Sequence, residues 1–227
     1  LSSSSAASDV YKRQPPGFWR GVNINQNAVF MECFMDELAE YAGVDPVEFR
    51  RKYSANYPRN LAVLNAVADR IGWTKPAPAG VFRGIAQQKS FGSFVAAACE
   101  LSVTDGNKVK IHRIVAATDP GYAVNPAQIE RQVSGSFVYG LSALFEEECT
   151  VKNGRIEQTN FDTFGSIRLK QMPKVETIII QGGGKEWGGI GEPTISVAAP
   201  AVLNAFYRAT GKRIRTVPLK NSGITLV

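Results

Sequence analysis

The sequence predicts an α+β fold: a helical N-terminal segment, then mixed hairpins and strands with packed helices. Three observations carry this. Apolar residues recur at helical spacing through much of residues 27–71. Paired β-runs separated by turn residues follow a Pro/Gly-rich connector. The later helices do not alternate regularly with strands, as a βαβ fold would require. The 227 residues suffice for one large domain or two small ones. The 44% apolar and 20% charged content is that of a globular chain, not of a disordered, collagenous or disulfide-scaffold one.

Residues 1–14 (LSSSSAASDVYKRQ) lack a starting methionine and an apolar h-region, so they do not read as a secretory signal. They resemble translated adapter or vector sequence and are expected to be a non-native leader. The chain from Pro15 then reads as a fragment whose upstream part is missing. Residues 27–41 carry Val29, Phe30, Phe34, Leu38 and Tyr41 at helical spacing, flanked by Met31 and Met35, with a polar face of Glu32, Asp36, Glu37 and Glu40. That is the pattern of a helix that buries its apolar stripe, and Gly43 is placed to stop it. Asp45-Pro46 opens a second helix as N-cap and N1. Residues 61–71 form a third, ended by Gly72, and 74–80 (TKPAPAG) are a connector. The chain thus divides into a helical segment, 15–80, and an α+β domain, 81–227.

Residues 83–91 and 94–104 read as strands, and 109–117 follow the Asp105-Gly106-Asn107 turn to complete a hairpin. In the last of these runs Lys110 and Ile114 are expected to share a face with His112. Residues 126–144 are helical in pattern, with Asn125 as cap. A second hairpin, 149–151 with 155–158, turns at Asn153-Gly154. Residues 175–180 form a β-branched strand, 194–210 an apolar helix closed by Gly211, and 213–217 a last strand.

Composition removes several function classes. His112 is the one histidine, which excludes zinc sites built on several histidines. Cys33, Cys99 and Cys149 are scattered and form no C-x-x-C pair, so this chain alone ligates no iron–sulfur cluster. The net charge of +6 is dispersed, without a nucleic-acid-binding pattern, and reads as a solvated surface. The longest apolar run, 94–99, is far below the roughly twenty residues of a membrane helix.

One stretch stands out. Residues 181–193 (QGGGKEWGGIGEP) hold six of the 21 glycines and lead into the last long helix. The Walker pattern is absent, because Lys185 is followed by Glu186, and no G-x-G-x-x-G opens the helix. Glu192-Pro193 does. On pattern alone, Glu192 is a carboxylate at a helix start, mildly stabilised by the dipole. The functional alternative is a general base turned into a pocket by its pliant glycines, where desolvation must outweigh the helix field.

Several blocks resemble the molybdenum-binding subunits of the xanthine dehydrogenase/aldehyde oxidase family, and those of the isoquinoline 1-oxidoreductase type most of all. They are PPGFWRGVNINQNAVFMECFMDELAEYAGVDPVEFRRK, RGIAQQKSFGSFVAAACELSV, ATDPGYAVNPAQIERQVSGSFVYGLSALFEEE, NFDTFGSIRLKQMPKVE and GGIGEPTISVAAPAVLNAFYRATGKRIRTVPL. The resemblance implies that Glu192 is the catalytic glutamate, a base toward a molybdenum-bound hydroxide in hydroxylation of aldehydes or N-heteroaromatic rings with water-derived oxygen. It places Arg20, Gly189 and Gly191 near a molybdenum–molybdopterin cofactor, whose cytosine dinucleotide form is a family expectation. No side chain ligates the metal. Trp19 and Trp187 are candidates for a substrate funnel, although a tryptophan that packs in the core or anchors a loop is the favoured reading of Trp187, and Trp19 carries the same ambiguity. Gln132 and Gly135 match a recurring segment without an assigned role. The implied partners are the upstream half of the same subunit and a small subunit carrying [2Fe–2S] clusters. The family's Gly-Gly-x-Glu-x-Gly-Gln-Gly block is absent, and Gln88-Lys89 stands where relatives often carry histidine. A rival reading is an inert structural portion that binds cofactor only with its upstream half.

Overall fold

The computed structural model describes residues 17–185 and 187–227. The expected leader at 1–14 lies outside them. In chain order the elements are α1 (Ile24–Tyr41), α2 (Pro46–Tyr53), α3 (Pro58–Ile71), β1 (Phe82–Ser90), β2 (Ser93–Thr104), β3 (Lys108–Asp119), α4 (Pro126–Phe145), β4 (Val151–Lys152), β5 (Arg155–Ile156), β6 (Lys174–Ile179), α5 (Ala198–Thr210) and β7 (Thr225–Leu226). The α+β class read from the sequence holds. β1, β2 and β3 form an antiparallel meander, while β6 and β7 both pair β3 in parallel.

The alternation of β2 divides the core in two. Ala96 and Ala98, with Ile85, Val115 and Ala117, meet Val47, Val63, Leu64, Val67 and Ile71 of α2 and α3. Val95, Ala97, Cys99 and Leu101 meet Val133, Phe137 and Leu141 of α4 and Val202 and Phe206 of α5. Covering both faces is what makes β2 read as an unbroken apolar run. The helical segment before residue 80 therefore shares its core with the sheet that follows.

Local capping agrees with the residues that signalled it. The Asp45 carboxylate accepts from the N–H of Val47 (2.8 Å) and Glu48 (3.1 Å), and Gly72 ends α3 in the left-handed region at φ 74°. The Asn125 side chain accepts from Gln128 N (3.2 Å) at the start of α4.

Four expectations need correction. First, α1 turns much of its expected apolar stripe outward and two of its expected polar residues inward, although Val29 still packs against the core. Glu32 and Asp36 are buried, at 5% and 1% exposure, whereas Phe30, Phe34 and Tyr41 are 68%, 58% and 92% exposed. The cause lies in the partners that face the helix. Arg50, fully buried, donates to Glu32 Oε2 (2.9 Å) and to the Glu32 carbonyl (2.9 Å), and the Gln87 N–H at the β1 edge also donates to Glu32 Oε2 (2.9 Å). Arg213 donates to Asp36 (2.9 Å) and Glu40 (2.9 Å). A charge is buried only where it is paired and hydrogen-bonded, and here every inward acid has its cation.

Second, residues 213–217 form no strand. Arg213 and Arg215 reach sideways to the acids of α1, with Arg215 donating to both Glu37 oxygens, so the segment lies across a helix rather than along a strand. The last strand is β7. Third, residues 194–197 belong to a 3₁₀ turn (Pro193–Val197), and the α-helix begins only at Ala198. Fourth, His112 does not share a face with Ile114. The register passes from Leu101↔Ile111 to Glu100↔Arg113, so His112 is the extra residue of a bulge. Ile111 and Ile114 consequently reach the same core. His112 is exposed, with Nε2 2.8 Å from Ser102 Oγ.

Candidate active site

Among its described residues the glycine-rich stretch has no helix or strand of its own until Pro193; it is held by the ends of the sheet. Asp119, fully buried at the end of β3, accepts from Gly121 N (2.9 Å), Gly182 N (3.0 Å) and the Arg59 guanidinium (Nε 2.7 Å, Nη2 2.9 Å). Burial alone would raise this carboxyl, but Arg59 and the two amides outweigh it and hold Asp119 below its usual range. Further along, Gly183 N donates to the Gly121 carbonyl (3.1 Å), Gly188 N to Pro120 (2.8 Å) and Gly189 N to Phe91 (2.7 Å). Gly188 has to be glycine: a Cβ there would lie 2.2 Å from Ser93 Oγ and 2.6 Å from the Gly92 carbonyl carbon.

The stretch ends at Glu192, which is partly buried. Its Oε1 accepts from the backbone N–H of Gly21 (3.0 Å). Gly21 lies at φ 83°, and a Cβ would fall 2.6 Å from both Asn25 Oδ1 and Ile195 Cγ2. Val22 follows at φ 40°. A β-branched residue in the left-handed region is a strained one, of the kind that surrounding structure must enforce.

Arg20 ties three distant parts of the chain together. Its Nε donates to the Gly191 carbonyl (2.6 Å), and Nη2 donates to the Gln132 carbonyl (2.9 Å), Gln132 Oε1 (3.0 Å) and Ser136 Oγ (2.9 Å) on α4. Burial draws Arg20 below its ordinary value, against the fields of Tyr139 and Glu192. Nη1 makes no hydrogen bond among the described residues.

The candidate residues are thus unequally grouped. Arg20, Gly191 and Glu192 meet, and Gly189 lies on the same pinned segment. Trp19 stands beside them, its ring 6.0 Å from Tyr139, at an apolar cavity of about 430 Å³ that Val29, Leu144, Ile195 and Ala199 also line. Trp187 is apart from that cavity: it is 66% exposed and tilts against Tyr122 at 5.5 Å. Sequence reasoning missed Gly21, Ser93, Ser136 and Gly188. The Phe-Trp-Arg-Gly run (residues 18–21) contained Gly21, whereas Ser136 lies just past the Gln-Val-Ser-Gly run (residues 132–135) and nothing marked it or Ser93.

No group of three or more His, Cys, Asp or Glu side chains able to hold a metal occurs among the described residues. Organic-cofactor donors are another matter. Gln88 Nε2, Ser90 Oγ and Thr194 Oγ1 are buried and have no hydrogen-bond partner among the described residues. Thr194 is two residues from Glu192, and alternation along β1 puts Gln88 and Ser90 on the face of Ala86, against the core that includes Val197. Such unpartnered buried polar groups suit a polar cofactor rather than a bare ion.

The fold is thus a sheet covered on both faces, with a carboxylate held where separated parts of the chain converge. Residues 35–173 match the family model described as molybdopterin cofactor-binding domain, which is more than half of the chain. The chain belongs to that family, within the molybdenum-binding subunits of the xanthine dehydrogenase/aldehyde oxidase type. It is 27% identical over 207 residues to the beta subunit of isoquinoline 1-oxidoreductase from Brevundimonas diminuta, covering 89% of this chain and 26% of that one. It is 28% identical over 218 residues to a nicotinate dehydrogenase subunit of Pseudomonas putida, covering 88% and 18%. The chain therefore spans about a quarter or less of these relatives' length. In fold it is similar to quinoline 2-oxidoreductase from Pseudomonas putida 86, with a TM-score of 0.78 at 11% identity over 90% of this chain and 52% of that one.

Proposed function

We propose that the chain is the Glu192-bearing part of a molybdenum hydroxylase that oxidises an aldehyde or N-heteroaromatic substrate with oxygen from water. The observation that carries this reading is the meeting of Arg20, Gln132 and Glu192 through hydrogen bonds spanning 112 and 171 residues of sequence. Bound molybdopterin would supply the two-electron redox step. The chain's own residues do the rest. Gly21 N–H holds one carboxylate oxygen of Glu192, leaving the other to accept a proton from the attacking oxygen nucleophile. Arg20 fixes the Gly191 carbonyl next to it, and Gln88, Ser90, Thr194 and the remaining Arg20 Nη1 would hold the pterin. Val29, Ile195 and their neighbours give the adjoining cavity a mainly apolar lining. A cytosine dinucleotide form of the pterin, and [2Fe–2S] clusters on a separate small subunit that takes the electrons, complete the proposal.

In the molybdenum-loaded, full-length subunit, Glu192→Gln is expected to abolish turnover while molybdenum content stays at the wild-type level. Substantial residual hydroxylation would reject the assignment. A second reading, an inert portion that needs an upstream half to load cofactor, is favoured by the exposed apolar face of α1 (Phe30, Phe34 and Tyr41), the kind of surface that another part of a protein covers. Molybdenum bound by the 227-residue chain alone, compared with that of the full-length subunit, separates the two.

A further inference from the structure

We propose that Ser93 is a positioning residue for the Glu192 carboxylate, acting through the carbonyl of Gly189. The inference rests on reading Glu192 as the base, and deepens it by naming what holds the base in place. Ser93 opens β2, directly after the two-residue turn Phe91-Gly92, and is fully buried. Its Oγ donates to the Gly189 carbonyl at 2.5 Å. Phe91 at φ 50° and Gly92 at φ 76° give the positive-φ pair of a type I′ hairpin turn. Asparagine or glycine usually fills the first of those positions, and a phenylalanine there is strained. The strained turn presents the Phe91 carbonyl to Gly189 N at 2.7 Å, so both backbone groups of Gly189 are gripped by one hairpin end.

From Gly189 to Glu192 the chain has little freedom left. Arg20 holds the Gly191 carbonyl, Gly21 holds the carboxylate, and Ile190 packs against the core. Ser93 is the side-chain end of this grip. Gly189 itself is exposed, so its carbonyl can turn to water once the hydroxyl is removed. Loss of the hydroxyl thus costs position more than stability, which is the property that separates a positioning residue from a merely structural one.

The test compares Ser93→Ala with Ser93→Thr, which keeps the hydroxyl. In the 227-residue chain, hydrogen exchange of the hydrogen-bonded Gly188 and Gly189 amides should quicken about tenfold in Ser93→Ala, with β2 and β3 unchanged, and return to the wild-type rate in Ser93→Thr. In the molybdenum-loaded full-length subunit, Ser93→Ala should lower kcat about tenfold with KM and metal content unchanged, and Ser93→Thr should restore it. Wild-type exchange at Gly188 and Gly189 in Ser93→Ala overturns the proposal. So does uniform acceleration across the sheet, or a loosened segment with unaltered kcat. Should Glu192→Gln remain active, the base assignment fails while the exchange result still reports on the grip.

Discussion

Helices α1 and α3 carry similar apolar spacing in the sequence, yet they bury opposite kinds of face. α3 sends Val63, Leu64, Val67 and Ile71 into the sheet, as its pattern implies. α1 sends Glu32 and Asp36 inward and leaves Phe30 and Phe34 to solvent. The difference is set by what waits on the other side: an alanine-rich sheet face for α3, and Arg50, Arg213 and the unpaired β1 edge for α1. Periodicity thus identifies a helix without deciding which stripe faces in. That decision belongs to partners distant in sequence.

The contrast can be broken by substitution. The largest effect is expected for Arg50→Ala, which strands Glu32 as a buried charge: about 3–5 kcal/mol lost in urea unfolding. Leu64→Ala in α3 is expected to lose about 2–5 kcal/mol by cavity formation, measured the same way. Phe34→Gln on the exposed stripe of α1 should change the stability of this chain by less than about 0.5 kcal/mol. A loss as large as that of Leu64→Ala would show that the stripe is packed after all.

Acid–base behaviour sharpens the contrast further. The acids under α1 gain cationic partners, whereas Glu147, half-buried after α4, has no such compensation: burial pushes its carboxyl up to about 7. A carboxyl raised on folding binds its proton more readily in the folded state than in the unfolded one. Its contribution is therefore neutral below its ordinary value of 4.5 and grows destabilising as pH rises from there to about 7. Glu147→Gln should flatten that decline in a thermal-melting series from pH 4 to 8. An unchanged slope would place the titration elsewhere.

The sheet was legible because turn chemistry at Asp105-Gly106-Asn107 and the β-branched run before residue 180 are local signals. Glu192 was legible through its glycine-rich block and its proline. Val22, Phe91 and Ser93 were not, because strain and a single buried hydroxyl are products of tertiary approach. The false strand at 213–217 has the same origin: alternating Arg213 and Arg215 imitate a half-exposed strand, while their side chains answer acids on a helix some 177 residues earlier. The bulge at His112 is likewise invisible to alternation, since one added residue reverses the expected face.

The base assignment is tested most directly by the reductive half-reaction. In a single anaerobic turnover with wild-type and Glu192→Gln full-length subunits matched for molybdenum content, substrate affinity should be retained, and the rate of cofactor reduction should fall by at least about 10²-fold. Equal rates at equal metal loading would contradict the account.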